Sequence, residues 1–118
     1  MEFICYPGCS TCKKAQKWLD SHNITYTIRN IKENPPAFDE LKEIYSESKL
    51  PLKKLFNTSG QVYRQMQLKD KLPSMSEAEQ LQMLASDGML IKRPILRTNG
   101  TSLIGFKEAE WEEKISNE

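Results

Sequence analysis

The stretch that decides the fold is Phe3-Ile4-Cys5-Tyr6-Pro7-Gly8-Cys9-Ser10-Thr11-Cys12-Lys13-Lys14-Ala15. Its apolar start is typical of a short buried strand, and Pro7-Gly8 predicts a turn. From about Ser10 the apolar residues follow helical spacing, and an apolar alternation at residues 24–28 predicts a second strand. This order predicts a parallel βαβ unit with Cys9 and Cys12 at the carboxyl end of its first strand.

The rest of the chain divides into a helical part and a final β-hairpin with a helix. Residues from about 35 to 88 follow helical patterns, with a capping-box pattern at Ser76 and Glu79 and a predicted helix over 62–72. Asn99-Gly100 predicts a tight hairpin turn, and residues 108–115 predict a closing helix. The order βαβ, helical insertion, ββα predicts an α/β protein of thioredoxin-like fold with a mixed sheet, as one domain over 1–118.

Composition and charge exclude several classes of function. The chain has 118 residues, 28% of them charged, with a net charge of +1. No long run of Lys or Arg indicates direct nucleic-acid binding, and no apolar run approaches the length of a membrane span. Because the N-terminus also lacks the pattern of a signal peptide, we expect a cytoplasmic protein.

Cys9 and Cys12 form a C-x-x-C motif, which indicates redox chemistry or half of a metal site. Backbone N–H groups at a helix N-terminus favour the thiolate form of Cys9 and can also hold an oxyanion. Lys13 adds positive charge, and Cys12 can act as the resolving thiol. Inert structural thiols are a third interpretation.

The remaining candidate ligands argue against a closed zinc site, which needs four. Outside the pair there are only Cys5, in the predicted strand, and His22, at the far end of the helix. We interpret Cys5 as a small buried residue, with a third redox partner as the alternative. We expect Cys9 and Cys12 to form a disulfide on mild oxidation, with Cys5 outside it.

Arg93-Pro94 precedes the predicted hairpin. In a thioredoxin-like topology this is the place of a cis-proline loop that faces the cysteine pair. Arg93 would then point toward Cys9 and could hold an anion with a bidentate fork. A trans proline with a solvated arginine is the alternative.

Four ordered blocks resemble the arsenate reductase (ArsC)/Spx family, closest to its small arsenate reductase-like members: residues 6–15, 55–60, 86–95 and 105–108. The resemblance implies a thioredoxin-like fold with a helical insertion. In the arsenate reductases one cysteine attacks arsenate, and Cys9 matches it. Those enzymes hold the anion with three arginines. Arg93 matches one, whereas Asn57 and Gly105 stand at the other two positions.

The resemblance implies two functions. One is a thiol-dependent reductase of an oxyanion or disulfide, with no bound cofactor and with glutathione/glutaredoxin or thioredoxin as electron donor. The other is an Spx-like regulator that binds RNA polymerase and is switched by the Cys9–Cys12 pair. The candidate catalytic residues are Cys9, Cys12 and Arg93. The candidate anion-binding residues are Ser10, Thr11, Lys13, Asn57, Arg64 and Pro94, with Lys107 as a further cation.

Overall fold

The computed structural model describes residues 1–116. Within them the chain forms a four-stranded sheet and six α-helices, with short 3-10 helices at Leu52–Leu55, Leu72–Ser74 and Gly88–Leu90. In chain order the elements are β1 (Glu2–Cys5), α1 (Ser10–Ser21), β2 (Thr27–Asn30), α2 (Phe38–Ser48), α3 (Gln61–Gln65), α4 (Leu68–Lys71), α5 (Glu77–Ser86), β3 (Ile95–Thr98), β4 (Thr101–Ile104) and α6 (Glu108–Ser116).

The strands lie in the order β2-β1-β3-β4. β1 and β2 are parallel, whereas β1 pairs antiparallel with β3, and β3 with β4. The mixed sheet and the element order confirm the predicted thioredoxin-like α/β fold, with a helical segment between β2 and β3. Since β1 is central, its carboxyl end delivers the cysteine motif to the middle of one sheet edge.

Side-chain alternation along the strands divides the core into two clusters. Phe3 and Cys5 pack with α1 and α6 on one face, where Trp111 is fully buried. Ile4 and Ile95 pack with the inserted helices on the other face. Both faces of β1 are therefore covered, which accounts for its almost continuous apolar sequence.

The second strand differs from the prediction. Its residues are Thr27–Asn30, and Ile28, expected on a half-buried face, has 59% of its surface exposed. The reason is that β2 is an edge strand, and the chain buries Ile31 just after it instead. The Ile31 amide donates to the Cys5 carbonyl at 2.9 Å, which continues the parallel pairing.

Two features of the insertion also differ from expectation. The predicted helix over 62–72 is interrupted at Gln67, whose backbone is left-handed with a φ of 53°, so that α3 and α4 are separate. Gly88 follows the helix that begins after Ser76, and its residue type predicts a C-terminal cap. In the structure it has no positive φ and instead packs against the end of β2. A Cβ there would lie 1.9 Å from the Ile31 carbonyl oxygen, so only glycine allows this approach.

The turn and capping residues predicted for other elements have the expected conformations. As an asparagine after the end of α1, Asn23 predicts a left-handed C-terminal cap, and its φ is 56°. Asn99 and Gly100 both have positive φ, as a primed hairpin turn requires. Ser76 caps α5 and exchanges hydrogen bonds with Glu79 in the predicted capping box. Among residues 1–116, no helix is long and apolar enough to cross a membrane.

Candidate functional site

Cys9 is the residue that begins α1. Its backbone is extended, with φ −87° and ψ 121°, and its Sγ accepts a hydrogen bond from the Cys12 amide at 3.4 Å. Its own amide donates to the Tyr6 carbonyl at 3.0 Å, which closes the Pro7-Gly8 turn. The half-buried thiol thus occupies the N-cap position, where the helix favours negative charge.

Cys12 lies one turn further and is only 3% exposed. Its Sγ accepts a hydrogen bond from the Tyr6 amide at 3.4 Å, and its thiol is hydrogen-bonded to Cys5. The hydrogen bond to Cys5, together with burial, raises the pKa of Cys12 well above its ordinary value. The two motif cysteines therefore have different environments, one half-buried and one enclosed.

Cys5 is the third thiol of the cluster. It ends β1, is 6% exposed and faces α1, as its alternation with Phe3 requires. The hydrogen bond with Cys12 lowers the pKa of Cys5, whereas burial of the thiol opposes this effect. All three cysteines are free thiols. The prediction of a buried Cys5 is confirmed, but its contact with Cys12 is new.

Arg93 and Pro94 are joined by a cis peptide bond, as the topology predicted. The Arg93 guanidinium carbon lies 5.5 Å from the centre of the Tyr6 ring. Its Nε and Nη1 are buried and have no hydrogen-bond partner among residues 1–116. Since Tyr6 is hydrogen-bonded to both Cys9 and Cys12, the arginine lies against the loop that carries the cysteines, with unused donors.

Three of the residues predicted to bind an anion lie on the first turn of α1. Ser10, Thr11 and Lys13 are all exposed, and the Lys13 amide donates to the Cys9 carbonyl at 3.1 Å. The hydroxyls and the lysine therefore lie beside Cys9 along the same helix end. Pro94 is buried, and its carbonyl accepts from the Gly105 amide at 2.8 Å, which joins the cis-proline loop to the end of β4.

Asn57 is tied to the segment that leads into Arg93. Its amide donates to the Leu90 carbonyl at 2.7 Å. Its side-chain Nδ2 lies so close to Gly60 that a Cβ there would be 2.6 Å away. The asparagine side chain thus packs on its own loop, against Gly60.

Arg64 and Lys107 each line a surface cavity. Arg64 is exposed on α3 and lines a small cavity that includes none of the cysteine-loop residues 6–12. Lys107 lines a larger cavity of about 620 Å³ together with Lys53, Lys54 and Lys92. The structure therefore places Arg64 at a cavity between α3 and α4, and it places Lys107 in a basic groove that includes the residue before Arg93.

The zinc-site interpretation of the sequence depended on His22 as a further ligand. His22 is exposed at the end of α1, where its ring stacks on Trp18 with a centroid distance of 4.1 Å. In the part of the chain that is described, no group of three or more His, Cys, Asp or Glu residues is arranged to hold a metal ion. Histidine therefore contributes to helix-end packing.

Two contacts of the site were missed in the sequence. The Cys5–Cys12 hydrogen bond could have been anticipated, because alternation puts Cys5 on the face of β1 that a βαβ helix covers. The packing of Arg93 on Tyr6 joins residues 87 positions apart and carries no local signal.

Fold and site together define a thioredoxin-like protein with a C-x-x-C motif at the start of its first helix. The ArsC family profile matches residues 5–114, and the chain belongs to the ArsC family.

Three similar proteins illustrate the range of the family. The uncharacterized protein YusI of Bacillus subtilis is 52% identical, over 96% of each chain. The global transcriptional regulator Spx of Streptococcus mutans is 29% identical, over 88% of this chain and 74% of its own. The crystal structure of a possible arsenate reductase from the same species is 46% identical, covers 96% of each chain and superposes with a TM-score of 0.88.

Proposed function

We propose that this protein is a thiol oxidoreductase that reduces an oxyanion or a disulfide through the Cys9 thiolate, with Cys12 as resolving thiol. The observation that carries the proposal is the half-buried Cys9 thiol at the N-cap of α1, on the loop whose Tyr6 ring packs against Arg93 and its unused guanidinium donors. A nucleophile next to anion-binding groups is the arrangement that such a reduction requires.

The reaction on a disulfide substrate transfers two electrons. The Cys9 thiolate attacks one substrate sulfur, a mixed disulfide forms and the other substrate sulfur leaves as a thiolate. Cys12 then loses its proton and attacks Cys9 Sγ, which releases the second substrate thiol and leaves a Cys9–Cys12 disulfide. The raised pKa of Cys12 makes its deprotonation the demanding part of this second step.

An oxyanion such as arsenate would follow the same sequence. Cys9 displaces one oxygen as water to form a sulfur–arsenic bond, and attack by Cys12 on Cys9 Sγ passes the electron pair to arsenic, which leaves as arsenite. Arg93, Ser10 and Thr11 would hold the oxygens, with the buried Pro94 supporting the arginine loop. Glutathione/glutaredoxin or thioredoxin would return the disulfide to two thiols in the cytoplasm.

A second function is favoured by the likeness to Spx, which is named a global transcriptional regulator. In this alternative the Cys9–Cys12 pair switches a surface that binds RNA polymerase. Capture of RNA polymerase by the reduced protein but not by the oxidised protein, without turnover of any substrate, would favour the regulator over the enzyme.

The test of the proposal is a turnover assay with arsenate and with a small disulfide, each supplied with both donor systems. We expect Cys9→Ser to abolish turnover. Cys12→Ser should abolish turnover with thioredoxin, which needs the dithiol, but retain some with glutathione, which can resolve the Cys9 adduct itself. Full activity of the Cys9→Ser variant would overturn the proposal.

A further inference from the structure

Cys5 is a buried nucleophile for which the proposed mechanism has no use. It ends the central strand, is 6% exposed and shares a core cluster with Cys12. A small apolar residue would fill the same space without a reactive group. The neighbours of its sulfur therefore decide whether it has a chemical role.

Cys12 contacts both of the other cysteines. On the strand side it is hydrogen-bonded to Cys5 and accepts from the amide of Tyr6, the next residue, at 3.4 Å. On the loop side the Cys12 amide donates to Cys9 Sγ at 3.4 Å. Cys12 is thus the common neighbour of the half-buried thiol and the interior one.

We propose that Cys5 is a third redox thiol, which exchanges with the Cys9–Cys12 disulfide to give a Cys5–Cys12 disulfide and a free Cys9. The proposal depends on the proposed function only in that the Cys9–Cys12 disulfide forms. It replaces the expectation from sequence that Cys5 stays outside any disulfide.

The exchange is balanced without an external oxidant or reductant. The Cys5 thiolate attacks Cys12 Sγ, the Cys5–Cys12 bond forms and the Cys9–Cys12 bond breaks. Cys9 leaves as a thiolate and takes up the proton that Cys5 released. The protein holds one disulfide before and after the step.

The environment of Cys5 suits it to the role of attacking thiol. Cys5 and Cys12 are buried in the same core cluster and are hydrogen-bonded to each other, and this contact lowers the pKa of Cys5. The exchange would move the disulfide from a pair that includes the half-buried Cys9 to two residues, Cys12 and Cys5, that are 3% and 6% exposed. Cys9 would then be available for a second substrate while the first two oxidising equivalents are held in the interior.

The experiment is to map the one thiol that remains after stoichiometric oxidation. Wild-type protein is oxidised with one equivalent of diamide and quenched with acid, and its remaining thiol is labelled with N-ethylmaleimide. The other two are then reduced and labelled with iodoacetamide. Cleavage after Lys13 gives one peptide, residues 1–13, that contains all three cysteines, so fragmentation identifies the labelled position.

We expect the maleimide on Cys9 in about a tenth or more of the molecules at equilibrium, since neighbouring thiols of similar stability exchange within about tenfold of equality. The fraction should grow after an initial phase in which the label is on Cys5. Label confined to Cys5 at all times would overturn the proposal.

Cys9→Ser gives an independent measurement and changes a half-exposed position. Under the same oxidation we expect it to lose both remaining thiols to a Cys5–Cys12 disulfide. Two free thiols in this variant would contradict the proposal. If the wild type forms no disulfide and turns over no substrate, the proposed function fails, whereas Cys9→Ser still reports on the Cys5–Cys12 pair.

Discussion

The Arg93 guanidinium lies over the ring of Tyr6, with 5.5 Å between the guanidinium carbon and the ring centre. Tyr6 in turn donates its amide N–H to Cys12 and accepts from the amide of Cys9. One residue thus contacts both motif cysteines through its backbone and the arginine through its ring. Tyr6 is therefore the link between the cysteine loop and the cis-proline loop.

Replacing this ring should weaken anion binding through Arg93. We expect Tyr6→Leu to raise the concentration of arsenate needed to protect Cys9 from alkylation by about fivefold, since a cation–π contact contributes about 1 kcal/mol. Tyr6→Phe keeps the ring and should behave as wild type. Equal protection in all three proteins would show that the ring does not hold the arginine in its working position.

Removing the arginine should have a larger effect. We expect weak arsenate turnover by the wild type, because Asn57 and Gly105 carry no charge, and loss of the remainder in Arg93→Ala. A charge-assisted hydrogen bond contributes about 1.5–3 kcal/mol, so turnover should fall by about tenfold or more. Arg64→Ala is the matched control and should retain wild-type turnover. Efficient arsenate reduction by the wild type would contradict the expectation.

The three thiols should react with alkylating agents at different rates. Cys9 is half-buried at the N-cap, whereas Cys12 is 3% exposed and has a raised pKa. We expect Cys9 to react about tenfold or more faster than Cys12 at neutral pH. Time-resolved mass spectrometry of the peptide 1–13 measures both rates in one sample. Reaction of Cys12 before Cys9 would be incompatible with this structure.

The Arg29–Glu40 ion pair should make stability depend on pH. Arg29 holds the pKa of Glu40 at about 2, below its ordinary 4.5, through a hydrogen bond of 2.7 Å. Because the pKa is lowered in the folded state, the stabilisation is present above pH 4.5 and is lost as the pH falls toward 2. Glu40→Gln should reduce the free energy of unfolding by about 1 kcal/mol at pH 7, since the pair is partly exposed.

Chemical denaturation at pH 7 and near pH 2 measures this dependence. The difference between Glu40→Gln and wild type should shrink at the lower pH, where Glu40 is protonated in the unfolded chain and about half protonated in the folded protein. Glu33→Gln, at an exposed position before the insertion, is the control and should change little at either pH. A difference that is constant with pH would assign the effect to packing instead of charge.

The capping box of α5 gives a prediction that involves no titration. Ser76 Oγ accepts from the Glu79 amide at 3.1 Å. Ser76→Ala should cost about 1 kcal/mol of unfolding free energy, because one helix amide loses its partner. Ser46→Ala, at an exposed position inside α2, keeps its helical backbone bonds and should be neutral within about 0.5 kcal/mol. Equal destabilisation by both changes would contradict a capping role.

Much of the fold follows from local chemistry. The strand, turn and helix of residues 3–15 are predicted by period and by Pro7-Gly8, and the hairpin follows from Asn99-Gly100, whose positive φ values suit those residues. The apolar alternation at residues 24–28 predicted a half-buried strand, and Ile28 proved to be exposed. An alternating pattern alone does not say which strand lies at the edge of a sheet. Within residues 1–116 β2 is an edge strand of the sheet, and Ile28 is exposed there.

The local features of the candidate site were predictable from the sequence, whereas its contacts between distant residues were not. Cys9 at a helix N-terminus is a local feature, and its position there was found in the sequence. The partners that distinguish Cys12 from Cys9 are not local, since Cys5 reaches Cys12 only when β1 packs under α1. Asn57 was named from a block that matches the family, and a matched position does not fix where a side chain packs.

Gly105 constrains how this chain could change during evolution. It stands where arsenate reductases carry an arginine, yet its φ is +74° and its amide is bound to the Pro94 carbonyl. An arginine there would have to adopt a left-handed backbone, at a cost of about 1 kcal/mol, or break that hydrogen bond. A single substitution toward a fuller anion site would therefore lose part of its gain at once. An anion site with three arginines would therefore require compensating changes in the loop around Pro94.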